Sequence, residues 1–394
     1  MRQRVLVSSV VGVALVIAAL DATFGVPTTR LRVALALLGA LGVAALGGLS
    51  VARTRRDHPL VTRVLVTVVV VVIALVATAR LSSNVDTDVA IGAAMTIVLL
   101  GLSFLTGSSG QISLGNGAFM GVGAFTVAIW ANHHATSPLI LVLVLAVAAG
   151  AAVGFLLGLP ATRLRGPYLA GMTLAFAVAF GAVLNVFGSW TGGDSGLQLP
   201  NAENAPRWLV HLYPASTASL SVNSVWLAAL SVVSAGVALL LMANLFASRF
   251  GRAMRLVRDN DVAAELVGIS LPRARVVAFV VSAAYAALGG ALWTVVNNAV
   301  TPSTYGLALS ITILSLVVIG GIGTIPGAII GGLIYAFANS LIGWITTHTG
   351  LNPQGNVASQ LNGIIFGVLL VATIVFAPMG ISGALRRLWA HRSR

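Results

Sequence analysis

Acid–base or metal chemistry in this chain would have to come from six histidines and nine carboxylates, because cysteine is absent and every basic residue is Arg. The histidines, His58, His133, His134, His211, His348 and His391, fall in loops or at helix ends. Only His133 and His134 are adjacent, and neighbours on a helix face different ways, so no metal site is expected. Asp21, Asp57, Asp86, Asp88, Asp194, Glu203, Asp259, Asp261 and Glu265 are likewise expected in loops or at helix ends. They form no cluster suited to a membrane-embedded enzyme. They also supply no mid-membrane carboxylate of the kind that proton- or sodium-coupled carriers use. A phosphate-binding Walker loop needs a Lys after its glycines, and the chain has none. The chain is therefore not expected to be an enzyme, to bind a cofactor or to hydrolyse ATP, and its energy source is expected in another chain.

Two glycine-rich runs carry the remaining polar groups. The first extends from Thr106 to Gly123 and includes Gly107, Gly110, Gln111, Ser113, Gly115, Asn116, Gly117 and Gly121. Gly costs about 1 kcal/mol inside a helix relative to Ala. In a membrane it is tolerated where backbones approach closely or where a helix breaks beside a cavity. Both readings stand: close packing through Gly117 and Gly121, or a broken helix lining a pathway. The second run, Gly320 to Gly332 with Gly323 and Gly327, follows another apolar segment and echoes the first as an internal repeat would, on a thin residue match. Gly150/Gly154/Gly158, Gly327/Gly331 and Gly363/Gly367 are spaced as helix-packing faces.

A third stretch, Gly251 to Pro272, is rich in Arg. Asn260 or Asp261 can cap a short helix with Val262–Val267 as its body, Gly268 suits a left-handed stop, and Pro272 prevents continuation. Arg252, Arg255 and Arg258 lie one turn apart and form one basic face. A short capped helix among arginines is expected to dock a partner through Arg255, Arg258, Ala263, Ala264, Glu265 and Gly268. The competing reading is an interfacial helix on anionic lipid.

The elements that must position these groups are membrane helices. Of 394 residues 58% are hydrophobic and only 8% charged, whereas soluble domains carry about 25% charged residues. Apolar segments lie near 5–20, 31–51, 60–80, 88–106, 111–132, 138–161, 168–187, 225–247, 276–300, 306–322, 325–345 and 361–377. Each is of the order needed to cross a bilayer, and none alternates as a barrel strand does. The fold class is all-α, a polytopic transmembrane bundle with broken or re-entrant helices, particularly in 111–132 and 306–345. Residues 1–85 are expected to be extra N-terminal helices, 86–385 the core and 386–394 a cytoplasmic tail. The first segment, Val5–Leu20, follows Arg2 and Arg4 and reads as a retained helix rather than a cleaved leader.

With every segment crossing and both termini cytoplasmic, the inside loops hold Arg53, Arg55, Arg56, Arg163, Arg165, Arg249, Arg252, Arg255, Arg258, Arg273 and Arg275, and the tail holds Arg386, Arg387, Arg392 and Arg394. Outside loops hold little beyond Arg30, Arg32, Arg80 and Arg207, as the positive-inside rule requires. The net charge of +13 thus reads as topological anchoring, and no nucleic-acid partner is expected. The longest loops are 188–224 outside and 248–275 inside.

The chain resembles the LivM-type permeases of branched-chain amino-acid importers. The resemblance rests on Thr106–Phe125, Arg163–Phe176, Thr191–Leu197, Gly251–Leu292, Val318–Gly332 and Phe366–Gly380, in family order across residues 88–385. Ala263, Ala264, Glu265 and Gly268 resemble the small-small-acidic and glycine elements of the cytoplasmic coupling motif of ABC-importer permeases. Asn116 and Gly117 stand where that family often has His and Ala, and Asp194-Ser195 vary its usual loop. The resemblance implies a bacterial inner-membrane permease paired with a paralogous permease. It also implies two cytosolic ATPase subunits using ATP and Mg, an external solute-binding protein and surrounding lipid. Its cargo would be a branched-chain or related amino acid. The alternatives are urea, amides or an aromatic or other organic acid in the same machinery, or a stand-alone channel or secondary carrier.

Overall fold

The computed structural model describes residues 83–134, 137–164, 166–199, 219–349, 366–368, 371, 375 and 380–383. The apolar segments at 5–20, 31–51 and 60–80, most of 361–377, part of the loop 188–224 and the tail 386–394 lie outside the described residues.

The apolar runs, and the capped arginine-rich stretch between two of them, become helices. They are α1 (Ser83–Ser109), α2 (Asn116–His133), α3 (Leu139–Ala161), α4 (Pro167–Val186), α5 (Ser219–Ala247), α6 (Arg249–Asp259), α7 (Asp261–Leu266), α8 (Leu271–Asn297), α9 (Leu307–Gly320) and α10 (Ile325–Thr349). Within the described residues, α1 from Asp86, α3, α4, α5 from Asn223 and α8 are long and apolar enough to cross a membrane. The segment expected at 276–300 starts earlier, because Pro272 sits in the first turn of α8, where its missing N–H costs nothing. Its last residues instead form β2 (Ala299–Val300), which pairs antiparallel with β1 (Leu197–Gln198).

Burial sorts these helices. The apolar window of α1 is 78% buried, against 28% for α3 and 22% for α4, so α1 is central and α3 and α4 turn most of their surface outward. Ile140, Leu156, Val178 and Val186 are among the outward-facing apolar side chains, as lipid contact requires. The expected face Gly150, Gly154 and Gly158 packs on α8: a Cβ on Gly150 would lie 2.3 Å from the Ala287 Cβ, and one on Gly154 2.5 Å from the Ala283 Cβ. Small residues here let two backbones meet, the means of helix association available in lipid. Gly331 likewise meets Leu99 and the Leu316 carbonyl. Gly363 lies outside the described residues, and Gly367 has nothing within 4 Å of the place of its Cβ.

The ends of the bundle differ. At one end Arg163, Arg249, Arg252, Arg255, Arg258, Arg273 and Arg275 gather on α6, the start of α8 and the turn after α3. At the other, the segment Gly188–Gln198 folds back on the C-terminal ends of α2 and α8. His133 stacks on Trp190, and the Asn132 side chain donates to the Gln198 carbonyl at 3.0 Å.

Candidate functional site

The helix break and its neighbours form one connected region. α1 ends at Ser109, and Gly110 takes φ +70, the left-handed conformation that glycine adopts without strain. The chain then runs without regular structure to Asn116, where α2 begins. Gly107, in the last turn of α1, touches the second glycine run: a Cβ there would lie 2.0 Å from the Gly323 Cα. Ser103 Oγ accepts the Gly323 N–H at 3.0 Å. The two runs singled out in the sequence are therefore one contact. Gly323 sits at the α9–α10 turn, closed by Thr324 Oγ1 donating to the Gly321 carbonyl and accepting from the Gly327 N–H.

At the other side of the break, the Gly117 N–H donates to Ser310 Oγ at 3.0 Å, and a Cβ on Gly117 would lie 2.9 Å from the Gly306 carbonyl. Gly306 and Gly323 flank opposite ends of α9, whose 14 residues give a length of about 21 Å. Residues 110–115 can reach about 20 Å when extended. The break thus carries the chain along α9, and α2 starts inside the bundle. Leu114 N–H is held by Thr173 Oγ1 at 2.9 Å, and Gly115 lies against the Thr173 carbonyl and Phe176. Gly121 packs under Phe180 and Tyr305, and a Cβ on Gly123 would lie 1.9 Å from the Ala287 carbonyl. The run is closely packed, and the helix is broken within it.

Buried polar groups without partners mark the same segment. Asn116 is 0% and Gln111 6% exposed, and neither amide has a hydrogen-bond partner. Each unsatisfied buried polar group costs about 1–3 kcal/mol. Ser113 is buried and accepts the Gly115 N–H.

At the arginine-rich end, α6 and α7 are built by local capping. Ser248 Oγ accepts the Gly251 N–H, and Asn260 Oδ1 accepts the Ala263 N–H. Gly268 takes φ +81. Its N–H donates to the Glu265 carbonyl while the Ile269 N–H donates to that of Ala264, the paired bonds of a Schellman stop. Arg275, nearly buried, reaches Asp261 at 2.7 Å and the Thr162 carbonyl at 3.3 Å, locking α7 to α8 and to the turn after α3. The arginine triplet is exposed but not idle. Arg252 and Arg255 donate to the Ala247 and Phe246 carbonyls at the end of α5, and Arg258 donates to the Gly107 carbonyl at the end of α1.

α7 presents a different face from the one its small residues suggest. Ala264 is fully buried in the chain's own packing, so its size serves that packing rather than leaving room for a partner. Val262, Leu266 and Val267 are 67%, 85% and 68% exposed, beside exposed Glu265 and Gly268. Sequence reasoning passed over these three as helix body, although apolar residues in a six-residue capped helix were the signal.

Asp86 stands at a helix end as expected, but it is buried there. It is 1% exposed in the first turn of α1, with no hydrogen-bond partner for either oxygen. The Asn185 side chain donates to Asp194 at 2.5 Å in the Gly188–Gln198 segment, and among the described residues no group of three metal-ligating side chains forms.

Residues 89–374 match the family described as the permease component of branched-chain amino acid transport systems. The chain is 30% identical over 318 residues to the high-affinity branched-chain amino acid transport system permease protein LivM of Salmonella typhimurium, covering 76% of this chain and 70% of that one. It is 28% identical over 212 residues to the permease protein LivH of Escherichia coli, covering 54% and 64%, and 32% identical over 136 residues to BraD of Pseudomonas aeruginosa, covering 34% and 40%. No solved structure matches the chain. A multi-pass helical bundle, matched over most of its length, places this chain in the family of branched-chain amino acid transport permeases.

Proposed function

We propose that this chain is one of two paralogous permeases of an ATP-driven importer in the bacterial inner membrane, with the arginine-rich end cytoplasmic. Two separate ATPase subunits supply the energy, and an external binding protein delivers a branched-chain or related amino acid to the face formed by Gly188–Gln198. Similarity to both LivM and LivH proteins supports pairing of related permeases.

The observation that carries this reading is α7. A monomeric soluble surface has no use for three exposed apolar side chains on a capped six-residue helix and the residue that ends it, whereas a docking element does. The Arg275–Asp261 pair and the Arg258–Gly107 bond connect that helix and its neighbour to α8 and α1, so force applied at α7 reaches the bundle.

The experiment is ATP hydrolysis and uptake by the reconstituted complex, with and without loaded binding protein. Leu266→Glu places a charge on the docking face without touching the core. Hydrolysis stimulated by the binding protein falls at least tenfold, and uptake falls with it. Wild-type stimulation and uptake in this variant would exclude α7 as the docking element and favour its lying on anionic lipid.

A further inference from the structure

We propose that the start of α2 is a transient binding site for the carboxylate group of the solute in transit; this rests on the permease reading above. α2 is an 18-residue helix whose N-terminus lies inside the bundle beside Gly306 and Ser310, not at its surface. Gly115 precedes it and supplies no side-chain cap. Of its first three N–H groups, those of Asn116, Gly117 and Ala118, only Gly117 has a partner, Ser310 Oγ. Unpaired N–H groups aligned at a helix start attract a negative charge. Broken membrane helices present such half-helix starts to anionic groups of their solutes.

A second observation points to a ligand independently. Asn116 is the first residue of α2, is completely buried, and leaves both its amide nitrogen and its amide oxygen unpartnered. Buried polar side chains are almost always paired, so this amide is held ready for a partner that comes and goes. The nitrogen adds a donor to the backbone N–H groups, and the oxygen remains for an ammonium group. No Arg lies on α2 or in residues 110–115, so the donors are neutral and suit a single carboxylate of a zwitterion better than a multiply charged anion. Phe176 borders the same spot: its Cδ1 lies 3.4 Å from the place of a Cβ on Gly115, and its ring neighbours those of Phe119 and Phe180. Neutral donors beside an aromatic wall fit an α-amino acid with an apolar side chain.

The test uses the purified complete importer and an L-leucine analogue carrying a photoreactive diazirine in its side chain. Cross-linked peptides fall within residues 113–121 or on Phe176, and excess leucine suppresses them at least tenfold more effectively than leucinamide, which lacks the carboxylate. Asn116→Asp, of the same shape but negatively charged, reduces the cross-link at least tenfold. Equal competition by leucine and leucinamide, or cross-links confined to other segments, overturns the proposal. If the Asp variant does not assemble, the competition in the wild-type complex still decides. A wild-type complex that takes up no amino acid at all would instead refute the amino-acid cargo proposed above.

Discussion

The Arg258 guanidinium donates to the Gly107 carbonyl across 151 residues of sequence, and the stem of Arg258 covers Gly110. The exposed helix α6 is thereby joined to the last turn of α1 at the point where the chain breaks. Gly107 belongs to the final turn of its helix, where carbonyls lack an intrahelical partner, so the bond also caps α1.

Loss of this bond should separate hydrolysis from transport. Hydrogen bonds to charged groups contribute about 1.5–3 kcal/mol. The Arg258 side chain is 49% exposed, so the lower part of that range or less applies here. Arg258→Ala is expected to leave insertion and basal hydrolysis intact while uptake per ATP falls several-fold, with Arg258→Lys intermediate. Paired uptake and phosphate-release assays on proteoliposomes check this. An unchanged ratio in the Ala variant would remove Arg258 from the coupling route.

The contact between the glycine runs is steric, and its prediction concerns stability. Gly107→Ala places a Cβ 2.0 Å from the Gly323 Cα, where only backbone lies. Overpacking of this kind typically costs about 1–3 kcal/mol. Thermal unfolding in detergent should show a lower midpoint for Gly107→Ala, and no lowering for Gly367→Ala, whose Cβ meets nothing within 4 Å and which gains helix propensity.

Helix identity and the caps of α7 were legible because they are local. Twenty-residue apolar runs, Asn260 before Val262, and Gly268 after Val267 each specify their geometry without reference to the rest of the chain. What joined these pieces was not legible. Gly107 meets Gly323, Gly117 meets Ser310, and Arg275 meets Asp261 through packing that no spacing in the sequence encodes. Ala264 shows the same limit at one residue. A small side chain suits either a partner's approach or the chain's own core, and only its burial decides. Asp86 lies at a helix end, as its place before an apolar run suggests, but its burial was not legible, because only the packing around α1 covers it.

Sidedness has a direct test. Ser195 is exposed beside Gly196, which packs on Val300 past the end of α8, and Ser270 is exposed at the start of α8. The 27 residues of α8 separate the two positions by about 40 Å. The chain has no native cysteine, so Ser195→Cys and Ser270→Cys each carry one reactive thiol. A membrane-impermeant maleimide added to intact spheroplasts should label the first and spare the second, which reacts only after permeabilisation. Labelling of both from outside would reverse the assignment of the arginine-rich end to the cytoplasm.

Asp86 separates ATP-driven from ion-coupled transport. A buried carboxylate without a partner is what a proton- or sodium-coupled carrier uses, and it is the one described feature that fits that class. Its place argues otherwise. It lies in the first turn of α1, and a negative charge at a helix start is favoured by about 0.3–1 kcal/mol. Helix-start stabilisation needs no proton or cation exchange during a cycle. Asp86→Asn keeps the shape and removes the charge. In an ATP-driven permease it should lower stability by no more than that amount and leave uptake within twofold of wild type. Uptake should still require ATP and should be indifferent to a protonophore or to replacement of sodium in both proteins. Loss of uptake in Asp86→Asn, together with wild-type uptake that collapses when the ion gradient is dissipated in the presence of ATP, would identify Asp86 as a coupling carboxylate and assign the chain to ion-driven transport.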